Sequence, residues 1–142
     1  FALAEIGPDA AAAVPALTTA LESEGPVRFG ASYALGRIGK KAIKAKPALL
    51  AQLKSDENMA LISAWALAHI HPECPTCQEE ALPVLIAGLD DSSAEFRSEA
   101  ASGICCFGPA AEGAVKKLKK ALNDSDEEVR EAAAAALKAI GK

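Results

Sequence analysis

An all-α fold, an α-α superhelix of stacked helix pairs, is predicted by an internal repeat and by a helical spacing of apolar residues inside each copy. Leu3, Leu35, Leu67, Ile104 and Leu137 form one column with spacings of 32, 32, 37 and 33 residues, and Gly7, Gly39, His71, Gly108 and Gly141 form a second in register with it. A self-similar period of this length marks a solenoid, because each copy is one supersecondary unit that cannot bury its apolar face alone. Within a copy, Val27, Ala31, Ala34, Leu35 and Ile38 fall at i, i+4, i+7, i+8 and i+11, which gathers them on one stripe of an α-helix.

The units run over about 8–39, 40–71, 72–108 and 109–142, preceded by a helix remnant at 1–6. The chain opens at Phe1 inside a repeat and without an initiator methionine, which reads as a fragment of a longer array. In the first unit, Val14, Leu17 and Leu21 predict a first helix, and the Val27 stripe predicts a second that Pro26 begins and Gly39 caps. The second unit repeats this with Leu49 and Leu53, then Met59, Ser63, Ala66, Leu67 and Ile70, but places His71 where the other units have glycine. The third carries Leu82, Leu85 and Leu89, then Phe96, Ala100, Gly103, Ile104 and Phe107; the fourth carries Val115, Leu118 and Leu122, then Val129, Ala133, Ala136, Leu137 and Ile140.

Punctuation agrees with this reading. Pro15, Pro47 and Pro83 sit early in the first helices, where first-turn amides lack a helical partner, and Lys116 takes that place in the last unit. The glycine column fits left-handed C-caps. Ser92 with Glu95 and Ser125 with Glu128 have capping-box spacing, and Asp56, Glu57, Asp126 and Glu127 bring negative charge to helix starts. Gly7 to Pro15 and Gly39 to Pro47 are each 8 residues apart while His71 to Pro83 is 12, so an inserted loop of four residues is expected there; a fifth lengthens the turn before Phe96.

Composition narrows the function. Only 4% of the 142 residues are aromatic and alanine dominates, which suits close helix approach rather than one bulky core. A net charge of -4 and a pI near 5.2 argue against nucleic acid as a partner, since that affinity rests on clustered Lys and Arg neutralising phosphates. Lys40, Lys41, Lys44 and Lys46, and Lys116, Lys117, Lys119 and Lys120, read as solvated faces. No apolar run reaches membrane-span length and no charged-then-apolar leader precedes the first repeat, so a soluble chain, cytoplasmic rather than exported, is the expectation.

The strings Val27 to Gly39 (VRFGASYALGRIG) and Glu128 to Gly141 (EVREAAAAALKAIG) resemble the HEAT-like repeats also found in phycobilisome lyases. The resemblance covers essentially the whole chain and implies a right-handed HEAT-like solenoid with the second helices lining a concave face. It also implies that Arg28, Arg97 and Arg130 bond acidic groups of the preceding turn and tie units together, with Ala60 interrupting that ladder.

On the helical wheel, the side of each second helix opposite the core stripe carries the candidate partner-binding residues Phe29, Tyr33, Arg37, Leu61, Trp65 and His69. The Tyr33 column reads Phe1, Tyr33, Trp65, Ser102 and Ala135, so the aromatic residues concentrate in the amino-terminal half. Such a patch is a recognition surface if exposed and inter-repeat packing if not.

All four cysteines and both histidines fall between His69 and Cys106. Cys74 and Cys77 form a Cys-Pro-Thr-Cys inside the insertion, and His69 and Cys106 occupy equivalent positions on consecutive second helices. Three readings compete: buried structural thiols, a disulfide involving Cys74 or Cys77, and a zinc site from His71, Cys74, Cys77 and Cys106. No cofactor is expected apart from that zinc reading. No phosphate loop, metalloprotease motif or nucleophile elbow is present, so no catalytic residue is assigned. The first reading is a non-catalytic scaffold binding a protein partner on the concave face. The alternatives are a tetrapyrrole (bilin) lyase or chaperone, implied by the resemblance, and a HEAT-like DNA-binding or repair protein, which the charge disfavours.

Overall fold

A computed structural model describes residues 7–142, which form helices and turns without a strand. The remnant at 1–6 lies outside the described residues. We label the α-helices α1 Val14–Ala20, α2 Gly25–Ile38, α3 Lys46–Ser55, α4 Glu57–Ile70, α5 Pro75–Gly88, α6 Ala94–Phe107, α7 Val115–Ala121 and α8 Glu127–Ile140, with 3₁₀ segments at Gly7–Ala13, Gly39–Ala45 and Gly108–Ala114. The even-numbered helices, each of 14 residues, stack side by side in one layer; the odd-numbered helices and the 3₁₀ segments form the other. This is the all-α solenoid the repeat predicts.

The core lies between the layers because the column residues point there. Leu35, Leu67 and Ile104 from the even helices and Leu49, Leu85 and Leu118 from the odd ones are fully buried. Alanines such as Ala64, Ala66, Ala100, Ala133 and Ala136 are buried beside them, which keeps neighbouring helices close. One buried polar cluster crosses the layers: Gln52 Nε2 donates to Ser32 Oγ and Ser63 Oγ, both at 2.8 Å, so α3 holds α2 and α4 through a single amide.

The ends of the helices depart from expectation in instructive ways. Gly39 and Gly108 have φ of 68° and 53° with ψ of -141° and -131°, a region essentially reserved for glycine, and only Gly141 (φ 91°, ψ 31°) is a left-handed helical cap. That unusual bend launches the 3₁₀ segments after Gly39 and Gly108. His71 instead sits at φ -149°. The chain after it makes a turn closed by Cys74 N–H to His71 C=O at 3.1 Å, and α5 then runs unbroken for 14 residues. The insertion is therefore built into a helix rather than a loop, and Pro83 lies inside α5 instead of in its first turn.

Two more expectations are corrected. The N-caps are Ser93 and Asp126, not Ser92 and Ser125; Asp126 accepts from Val129 N–H at 3.2 Å because it alone of the adjacent pair stands at the half-in position. The arginine ladder is also inverted. Arg28 pairs with Asp56 at 2.8 Å and Arg97 grips Asp124 through Nε (2.9 Å) and Nη2 (2.8 Å), both carboxylates belonging to the following turn. What the arginines take from the preceding turn is carbonyl oxygen: Ser23 for Arg28, Asp91 and Ser92 for Arg97, Asp124 and Ser125 for Arg130. Ala60 leaves one rung out, between the units joined by α4 and α6.

Candidate functional site

The aromatic column becomes a pocket of about 160 Å³ across α2, α4 and α6. Phe29 and Tyr33 come from α2, Leu61, Ile62 and Trp65 from α4, and Glu95, Phe96 and Glu99 from α6. Their positions follow from helical spacing, since 29 and 33, 61 and 65, and 95 and 99 are i, i+4 pairs that each present one face. Phe29 and Phe96 meet over α4 with ring centroids 6.3 Å apart.

At Trp65 the packing alternative of the sequence reading holds. It is only 3% exposed, because its ring lies in the notch left by Gly36, stacked on Tyr33 at 5.0 Å and covered by His69 at 4.2 Å. It forms the floor of the pocket rather than its rim. Phe96, assigned to the core stripe, is 36% exposed and forms a wall; Val27, assigned likewise, is 58% exposed in the first turn of α2. Arg37 and His69 do not line the pocket. His69 Nδ1 lies 2.9 Å from the Trp65 carbonyl, which can only accept, so that nitrogen carries the proton. Burial first, and then the charge of Arg37, hold the His69 ring below its ordinary pKa, against the opposing effect of the Trp65 hydrogen bond.

Sequence reasoning missed Ile62, Glu95, Phe96 and Glu99. Capping-box spacing accounts for Glu95 in the sequence, and the column turns to Ser102 in this unit; the signal available was the Glu95, Glu99 spacing beside Phe96. Burial pushes the Glu99 carboxyl above the usual range, and the neighbouring Glu95 and Glu128 charges add to this while Arg37 opposes it. The pocket thus combines aromatic faces with two carboxylates, one of them short of solvation.

All four thiols are free, and among the described residues no three His, Cys, Asp or Glu side chains are grouped so as to hold a metal ion. Cys74 and Cys77 adjoin at the start of α5, and Cys106 lies in the last turn of α6. The lysine runs lie in the odd layer, where Lys40 pairs with Glu73 and both Lys117 and Lys120 pair with Asp90. Among the described residues, no helix is long and apolar enough to cross a membrane.

Comparison with known proteins places this geometry. Residues 82–142 match the family model described as HEAT repeats. No curated protein matches the chain. Among solved structures, an engineered protein is similar at 28% identity and a TM-score of 0.69 over 99% of this chain and 70% of its own. A designed armadillo repeat protein in complex with the peptide (KR)4 is similar at 27% identity and a TM-score of 0.64, over 93% of this chain and 65% of its own. The complex of CpcE and CpcF of phycocyanin lyase from Nostoc sp. PCC7120 shows 27% identity and a TM-score of 0.56, over 92% and 79%.

Proposed function

We propose that this chain, a HEAT-like repeat protein, is a non-catalytic scaffold that binds an extended segment of a protein partner along the even-helix face, seating an arginine or lysine side chain in the aromatic pocket. The observation that carries the reading is the joining of Phe29, Tyr33, Trp65 and Phe96 with Glu95 and Glu99 in one cavity. A cation over an aromatic face gains about 0.5 to 2 kcal/mol, more as water is excluded, and it neutralises the Glu99 carboxylate, whose partial burial is otherwise unfavourable. The acidic balance of the chain favours approach of a basic segment. That a designed armadillo repeat protein of similar structure is complexed with (KR)4 supports the same class of ligand.

A tetrapyrrole role is the second reading, favoured by the phycocyanin lyase neighbour. Size favours the first. Pockets for drug-sized molecules run to roughly 300–1,000 Å³, whereas 160 Å³ suits a single side chain.

Calorimetric titration with a short peptide of alternating lysine and arginine tests the first reading. Glu99→Gln should weaken binding by about 10-fold or more, the worth of one charge-assisted contact at about 1.5 to 3 kcal/mol. Peptide binding indifferent to Glu95→Gln and Glu99→Gln, combined with saturable uptake of a bilin, would overturn it in favour of the second.

A further inference from the structure

We infer that Cys74 and Cys77 form a dithiol that exchanges with low-molecular-weight disulfides, with Cys74 the attacking sulfur and Cys77 the resolving one. The geometry begins at the start of α5, where Cys74 is the N-cap and Pro75 stands in the first turn. Residues three apart at a helix start are neighbours. Here Cys74 Sγ takes the place of a capping oxygen and accepts the Cys77 N–H at 3.2 Å. Lys46, from the start of α3, points its ammonium at the same sulfur from 3.9 Å. An amide at a helix N-terminus and a nearby cation are the two surroundings that stabilise a thiolate.

The two sulfurs differ in access. Cys74 keeps 5% of its surface open and Cys77 none, so a reagent from solvent reaches only the first. Their acidities divide the same way. Burial raises Cys74, yet the hydrogen bonds from the Cys77 thiol and amide together with the Lys46 charge bring it below its ordinary value. Burial, and then the neighbouring Cys74, push Cys77 up to about 12. Cys105 and Cys106 have no such partners, and burial holds Cys106 at about 11.

The exchange balances with oxidised glutathione as the oxidant. The Cys74 thiolate attacks one sulfur of that disulfide, forming a mixed disulfide and expelling one glutathione thiolate. Tying up Cys74 removes the charge beside Cys77, whose sulfur then attacks Cys74 Sγ, breaking the mixed bond and passing its proton to the second glutathione as that sulfur leaves. Two protein thiols are oxidised and one small disulfide is reduced to two thiols.

Incubating the folded chain in glutathione buffers of graded ratio, trapping with iodoacetamide and mapping peptides by mass spectrometry tests this. The expected product is a peptide containing Cys74 and Cys77 that has lost two hydrogens, with Cys105 and Cys106 alkylated. Cys77→Ala should halt at Cys74 carrying one glutathione. Cys74→Ser, which retains a capping oxygen and should keep the helical circular dichroism, should yield neither product. Lys46→Met should slow the first step several-fold. Preferential reaction at the more exposed Cys105 with Cys74 and Cys77 left as thiols would overturn the proposal, as would oxidation at an unchanged rate in Lys46→Met.

Discussion

Gly36→Ala is the sharpest probe of how the aromatic pocket is built. A Cβ at position 36 would stand 2.3 Å from Trp65 Cζ3, 2.8 Å from Cε3 and 3.0 Å from the backbone Cα of Ala66. Carbon atoms pack at about 3.5 to 4.0 Å, so the indole must recede by roughly 1.2 Å. It has little room, with the Tyr33 ring stacked on it at 5.0 Å and the His69 ring at 4.2 Å. Overpacking of this kind costs about 1 to 3 kcal/mol, set against a gain of about 0.4 to 1 kcal/mol for replacing a helical glycine by alanine. Gly30→Ala, on the same helix with nothing within 4 Å of its added carbon, isolates that gain. The difference in unfolding free energy between the two variants therefore reports the clash, about 1 to 3 kcal/mol. Because Trp65 is the chain's only tryptophan, its emission should shift in Gly36→Ala and not in Gly30→Ala. Equal stabilisation by both, with unchanged emission, would refute the account of the notch.

Leu67→Ala empties a fully buried site between the layers and should cost about 2 to 5 kcal/mol in denaturant unfolding. Asp124 is held down to about 2 by the Arg97 guanidinium, below the roughly 3.9 of a free aspartate, so its contribution is complete above about pH 4 and is lost as pH falls toward 2. Acid titration of Arg97→Gln should lack that part of the slope, and an identical curve would show the pair contributes nothing. Glu99 titrates above the usual carboxylate range, so affinity for a cationic peptide should fall with decreasing pH before ordinary carboxylates protonate, and Glu99→Gln should flatten that profile.

The repeat made the layered core legible because Leu35, Leu67 and Ile104 solve the same packing problem three times. The face of the pocket was legible too, through Phe29, Tyr33, Leu61 and Trp65. Depth was not. A helical wheel says which way Trp65 points from its own axis, but its burial depends on Gly36 of the neighbouring helix offering a notch, a relation with no periodic signature. Phe96 was hidden for a related reason: the pocket spans three units, and its third wall uses Glu95 and Phe96, which are not column equivalents of the lining residues on α2 and α4, while Glu99 repeats the place of Ile62 with a different chemistry. The inserted segment was misjudged as a loop because spacing counts residues without saying whether they continue a helix.

The gap at Ala60 leaves the seams of the array unequally tied. The units on either side of it are joined by apolar packing and by exposed lysine pairs such as Lys54 with Glu80, whereas the flanking seams carry the Arg28 and Arg97 clamps. That same seam separates Leu61 and Trp65 from Glu95 and Phe96, so the pocket opens across the junction that lacks an arginine clamp.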